Sequence, residues 1–242
     1  MSITACCILL DIEGTTTPID FVYQVLFPFA RTHVKDYLAR HWDAADVQRD
    51  VAQLREEQTA DAEQGLAPPE ISAGSDQIES AVAYIHWLMD RDRKSTPLKS
   101  LQGKIWEEGY QAGELLSQVF DDVPPAMKHW HKQGKRICIY SSGSVLAQKL
   151  LFAHTVSGDL TPLLSGYFDT TVGAKADADS YRRIATNLQL PPEEIVFISD
   201  VIAELNAAHA AGLQGILSLR PGNRPQSPSD LFKTIHTFTE LV

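Results

Sequence analysis

The sequence predicts an α/β protein, a doubly wound and mostly parallel sheet with an all-helical cap domain inserted after the first strand. Three observations predict it. Short, continuously apolar runs recur at residues 5–10, 136–140, 195–199 and 215–219, with a weaker one at 167–172. Unbroken rather than alternating apolarity marks strands covered on both faces, as in a parallel sheet. Helical patterns separate the later runs, and about a hundred residues of helical periodicity lie between the first run and the second.

The elements follow in order. After the strand at 5–10, residues 21–42, 44–64, 75–92 and 97–118 each carry apolar side chains at three- and four-residue spacing. The breakers between them are residues 65–74, with Pro68 and Pro69, and the polar run 90–96. A helix starts near Pro124 and ends before Gly134, and the strand 136–140 follows. Further helices begin near Ser144, carry Tyr181, Ile184 and Leu188, and carry Ile202, Leu205 and His209 before Gly212. These boundaries divide the chain into a core of residues 1–18 and 120–242 and a helical cap of residues 19–119.

Composition narrows the function. With 31 acidic against 21 basic residues the formal charge is −10, which counts against nucleic acid or an anionic membrane as the main partner. It leaves room for a small anion in a locally positive pocket. No apolar run approaches the ~20 residues of a membrane span. The run at 5–10 follows no basic segment and stops at Asp11, unlike a signal peptide. Cys6, Cys7 and Cys138 form no CxxC pair and read as reduced thiols of a cytoplasmic protein.

Four segments could carry chemistry. In Asp11-Ile12-Glu13-Gly14-Thr15-Thr16-Thr17-Pro18 a strand ends in an acid with a second acid two residues on. Two such carboxylates repel unless a cation lies between them, and the first could attack phosphorus while the second handles a proton. A solvated strand-to-turn junction has the same composition. In Tyr140-Ser141-Ser142-Gly143-Ser144 hydroxyls precede a helix, either as an anion site with free N–H groups or as a simple cap. Lys175 stands alone ahead of a helix, where a single lysine is ordinarily a solvated charge. Asp200 ends the strand 195–199, with Glu204 one helical turn on; metal ligand and helix cap both fit Asp200. Together all four fall at strand ends or in the loops after them, on the edge where doubly wound sheets bind ligands.

His129, Trp130 and His131 lack a further zinc ligand and read as a helix surface. Phe21, Tyr23, Phe27 and Phe29 fit either an apolar substrate pocket or the core of the cap.

The order of acid pair, hydroxyl tip, lysine and late acid resembles the haloacid dehalogenase superfamily. Glu13, where most of its phosphatases carry Asp, and the strings Asp11–Ile19, Tyr140–Ser144 and Ser199–Val201 are similar to the enolase-phosphatases (acireductone synthases) of methionine salvage. The resemblance covers essentially the whole chain. It implies a Mg²⁺-dependent enzyme with one ion per subunit, acting on 2,3-diketo-5-methylthiopentyl-1-phosphate to give the acireductone 1,2-dihydroxy-3-keto-5-methylthiopentene and phosphate. It implies Asp11 as nucleophile and metal ligand, Glu13 as acid/base at the metal, Ser141 and Ser142 as phosphate binders, Lys175 as phosphoryl counter-charge, and Asp200 as metal ligand. A monomer is expected by the same resemblance. A phosphatase for another small ester and a non-catalytic binding protein on the same scaffold are the competing readings; a metal-free dehalogenase suits Glu13, Lys175 and Asp200 poorly.

Overall fold

The computed structural model describes residues 3–226 and 230–242. By its internal contacts the chain forms two compact units, Met1–Tyr23 with Leu115–Val242, and Gln24–Glu114.

The first unit is built on six strands: β1 (Cys7–Leu10), β2 (Arg136–Tyr140), β3 (Gly166–Phe168), β4 (Ile195–Ser199), β5 (Gln214–Ser218) and β6 (Lys233–Ile235). All neighbours pair in parallel, in the order β3-β2-β1-β4-β5-β6. The order reverses at β1, so the ligand crevice of this topology opens beyond the carboxyl ends of β1 and β4. Side-chain alternation explains why the strands read as unbroken apolar runs. Ile8, Leu10, Ile137, Ile139, Val196 and Ile198 pack on one face with Met127, Trp130 and Phe238. Cys7, Leu9, Cys138, Tyr140 and Phe197 pack on the other with Tyr181, Ile184 and Leu205. Cys7 and Cys138 are buried free thiols, and Cys6 is exposed.

A short helix α1 (Ile19–Phe21) follows β1. The helical unit holds α2 (Phe27–His41), α3 (Ala45–Glu63), α4 (Gln77–Asp90) and α5 (Thr96–Gln111). Val34, Leu38, Val51, Leu54, Ile85, Leu101 and Ile105 form its buried stripe. Buried Asp61 ties α3 to α4, accepting from Tyr84 Oη at 2.8 Å and pairing with Arg93 Nη2 at 2.7 Å. In the first unit, α6 (Val123–Lys132), α7 (Val145–Ala153), α8 (Ala178–Leu188) and α9 (Ile202–Ala210) alternate with the strands.

The differences from the sequence reading have local causes. The single helix expected over 21–42 is broken by a π-helical turn, Val22–Leu26, before α2. The helix expected to run to 118 stops at Gln111, because Gly113 turns the chain at φ +72°. Residues 115–119 instead join the sheet-bearing unit, where Ser117 bonds His154 O and Val156 N at 2.8 and 3.0 Å. The strand expected at 167–172 ends at Phe168, since Asp169 turns the chain by accepting from Thr171 N–H at 2.9 Å. β6 gave no sequence signal: it is three residues long, and two of them are exposed. Among the described residues, no helix is long and apolar enough to cross a membrane.

Candidate active site

Asp11 directly follows β1, and its N–H donates to Ile198 O at 3.0 Å, extending the pairing with β4 by one residue. The loop behind it is tight. The N–H groups of Thr15, Thr16 and Thr17 converge on Ile12 O at 3.2, 3.0 and 2.9 Å, and Thr16 Oγ1 donates to Asp11 O at 3.1 Å. Gly14 sits at φ +70°, and a Cβ there would lie 2.4 Å from Asp200 Oδ2, so the loop needs glycine on two counts. The Asp11 carboxylate is buried and oriented by Ile12 N–H at 2.7 Å and Ser199 Oγ at 3.2 Å.

Lys175 enters this site, which the sequence position alone argued against. Its loop is pinned by three hydroxyls: Tyr140 Oη donates to Gly173 O (3.0 Å), Ser180 Oγ to Ala174 O (2.8 Å) and Tyr181 Oη to Lys175 O (2.7 Å). The ammonium bridges Asp11 Oδ1 at 2.6 Å and Glu204 Oε2 at 2.7 Å, and its side chain is only 11% exposed. Burial opposes the ammonium charge, but the Asp11 and Glu204 carboxylates outweigh it and raise the lysine above its ordinary value. Glu204, visible in the sequence one turn beyond Asp200 but not ranked as a site residue, is the addition that packing makes. Its Oε2 also lies 3.0 Å from Ser199 Oγ, whose single proton it shares with Asp11 Oδ2. Burial, then the charge of Asp11, pushes Glu204 above the usual carboxylate range.

Asp200 does not cap α9: Val201 holds the cap position, with no side-chain bond. Asp200 is buried, and burial followed by the Asp11 charge pushes it up to about 7. Asp11, Asp200 and Glu204 face a single ammonium, which leaves a deficit of positive charge that one divalent cation would close. All the donors are oxygen, the set preferred by hard cations. Among the described residues no three or more His, Cys, Asp or Glu side chains are grouped so as to hold a metal ion. Mg²⁺ ordinarily takes one or two carboxylates and keeps several waters, so the open arrangement fits it.

The Asp200 shift has a testable sign. Between about pH 4 and about 7 the folded protein holds a proton that the unfolded chain releases, so in the metal-free state stability falls as pH rises through that window. Asp200→Asn removes this cost. In EDTA the variant is expected to melt above the parent at pH 8, with the gap narrowing toward pH 5. A gap that is equal or wider at pH 5 would exclude Asp200 as the strained carboxylate.

The hydroxyl tip after β2 differs in part from the sequence reading. Ser144 caps α7 by accepting from Ala147 N–H at 3.2 Å, and Asp169 Oδ2 takes Val145 N–H at 3.2 Å. Those two N–H groups are therefore committed within the protein. Ser141 is buried, its Oγ accepting from Gly143 N–H at 3.1 Å, while Ser142 is exposed. Glu13 is half-buried in the Asp11 loop, bridged by its backbone to Thr17. Phe21 is buried; Phe27 tilts against Trp106, and Phe29 stacks on His33 at 3.9 Å. His129 and His131 are exposed on α6.

Residues 7–212 match the haloacid dehalogenase-like hydrolase family. The chain is 54% identical to enolase-phosphatase E1 of Synechococcus elongatus, over 97% of this chain and 96% of that one. It is 45% identical to enolase-phosphatase E1 of Drosophila willistoni, over 97% and 95%. Among solved structures it superposes on the UTR4 protein of Saccharomyces cerevisiae with a TM-score of 0.80 at 32% identity, covering 98% of this chain and all of that one. An L-2-haloacid dehalogenase shares the fold at 18% identity and a TM-score of 0.56. The chain thus belongs to the enolase-phosphatase E1 family of haloacid dehalogenase-like hydrolases.

Proposed function

We propose that the protein is a Mg²⁺-dependent enolase-phosphatase that enolises 2,3-diketo-5-methylthiopentyl-1-phosphate and then dephosphorylates it to the acireductone 1,2-dihydroxy-3-keto-5-methylthiopentene. The observation that carries the chemistry is the Asp11–Lys175 pair, a buried carboxylate held 2.6 Å from an ammonium at the sheet's switch point. The substrate follows from the family.

In this reading Asp11 attacks phosphorus through a carboxylate oxygen, the ester oxygen leaves, and Glu13 delivers a proton to it. Water then cleaves the aspartyl phosphate, with Glu13 taking the water's proton, and phosphate departs. Ser141 and Ser142 bind the phosphoryl oxygens, and Lys175 balances their growing negative charge. The hydroxyl of Ser199 and the N–H of Ile12 keep the Asp11 carboxylate oriented. Asp11, Glu13 and Asp200 are the residues that would hold Mg²⁺. When bound, the ion shields the anionic phosphate from the anionic carboxylates and polarises the phosphoryl oxygens. The helical unit, Gln24–Glu114, acts as the cap, and the enzyme works as a cytoplasmic monomer.

The test follows enol absorbance and free phosphate together, with the diketone phosphate plus Mg²⁺ or plus chelator. Acireductone and phosphate forming only with metal is the expected result. Phosphate release from generic esters without an enol product would point to another phosphatase, and neither signal to a binding protein. Glu13→Gln is expected to lose phosphate release by about 10²–10⁴-fold and to slow enolisation with it. Glu13 is also the proposed base for the enolisation, and full enolisation in that variant would exclude it from that role.

A further inference from the structure

Five of the seven buried side-chain polar atoms without a hydrogen-bond partner among the described residues lie in two segments, the Asp11 loop and the chain leaving β5. They are Thr15 Oγ1, Thr17 Oγ1, Ser218 Oγ, Arg220 Nη2 and Asn223 Oδ1. Asn223 stands apart because its two ends behave differently. Its Nδ2 donates to Gly14 O at 2.9 Å and to Ser218 O at 3.2 Å, which sews the acid loop to the end of β5. Two carbonyl acceptors fix the amide's orientation, since only the NH₂ can donate, so the unpartnered atom is the oxygen. That oxygen lies 2.9 Å from the point a Gly14 Cβ would occupy, and Asp200 Oδ2 lies 2.4 Å from the same point. A neutral acceptor and a strained carboxylate therefore flank the side of Gly14 where no side chain exists.

A buried amide oxygen is stabilised by a donor, and the NH₂ contacts of Asn223 hold its oxygen on the side of Gly14 that faces Asp200. A proton donor is required, because the oxygen can only accept. Resting on the Mg²⁺-dependent reading above, we infer that Asn223 is a positioning residue for the cation: its Oδ1 accepts a hydrogen bond from cation-bound water beside Asp200, while its NH₂ holds the Gly14 turn. A neutral acceptor there adds no negative charge to a site already crowded by Asp11, Asp200 and Glu204. The residue lies beyond every segment that the sequence singled out, in the Pro221-Gly222-Asn223 turn.

Calorimetric titration of the metal-free protein with MgCl₂ tests this without substrate. Asn223→Ala is expected to weaken Mg²⁺ binding about tenfold, and Asn223→Asp, which keeps an oxygen acceptor but loses the donors, to retain or tighten it while lowering the melting temperature in EDTA. The opposite pattern, unchanged affinity in Asn223→Ala or equal weakening in both variants, would overturn the inference and leave Asn223 a loop staple only. Should either variant fail to fold, the side-chain amide resonance of Asn223 in the parent protein decides: it is expected to shift with Mg²⁺ along the calorimetric binding curve, and a resonance that stays put overturns the inference. A parent protein that binds no Mg²⁺ would instead sink the enzyme reading on which the inference rests.

Discussion

Asp11→Asn is expected to cut phosphate release by at least about 10⁴-fold while leaving the protein folded. A carboxamide cannot form the acyl phosphate, so the two-step route through a covalent intermediate closes, and what remains is binding and electrostatics. The fold should survive because the replacement keeps most of the local bonds. The Asn oxygen can still accept from Ile12 N–H and from Lys175, which hold Asp11 Oδ1 at 2.7 and 2.6 Å. Its NH₂ faces Ser199 Oγ, a hydroxyl that can accept as well as donate. Removing the Asp11 charge also removes the second cause of the rise at Asp200, so Asp200 should titrate lower in the variant. Single-turnover phosphate release and a thermal melt in EDTA check both halves. Phosphate release above about 1% of the parent rate would mean that another group attacks phosphorus.

The second large effect is expected at Lys175, where stability and catalysis are lost together. Lys175→Met strands two buried carboxylates, Asp11 and Glu204, that now share one ammonium. Breaking a buried pair by removing one partner costs about 3–5 kcal/mol, because an uncompensated charge stays behind. In a chain of this length each kcal/mol moves the melting temperature by roughly 2–4 °C, so a fall of roughly 6–20 °C is expected near neutral pH. Glu204→Gln in the Lys175→Met background should recover part of that fall by discharging one of the stranded acids, although catalysis stays low, roughly 10²–10³-fold below the parent, for want of the phosphoryl counter-charge. The cycle of single and double variants measures the coupling. Purely additive melting temperatures would show that the bridge contributes nothing to the fold.

The site was only partly legible because some of its parts follow from strand burial and others from contacts between distant segments. β2 and β4 run over the same residues that periodicity marked, 136–140 and 195–199, because both faces of each are buried and an unbroken apolar run is the direct signature of that burial. Asp11 and Asp200 were legible for the same reason: a charged residue that ends a buried strand lies at the sheet's carboxyl edge wherever the rest of the chain goes. β6 was illegible, since a three-residue edge strand with two exposed positions leaves almost no pattern. Ser144 reads the same in isolation whether it caps a helix or opens an anion site; the choice fell to Asp169, a residue from the next loop that takes the neighbouring N–H.

Local order in the chain determined what local physics governs: which runs become strands, where acids meet strand ends, and the family motif around Asp11 and Glu13. Tertiary structure decided what depends on distant residues meeting. Lys175 is a lone loop lysine until Tyr140, Ser180 and Tyr181 pin its backbone and turn its ammonium between Asp11 and Glu204. Asn223 is an ordinary turn residue until it reaches Gly14, 209 positions earlier, and leaves its oxygen beside Asp200. Charge and hydrogen-bonding capacity belong to a residue type, but burial and partners belong to the fold, and they turn an ordinary polar side chain into part of a site.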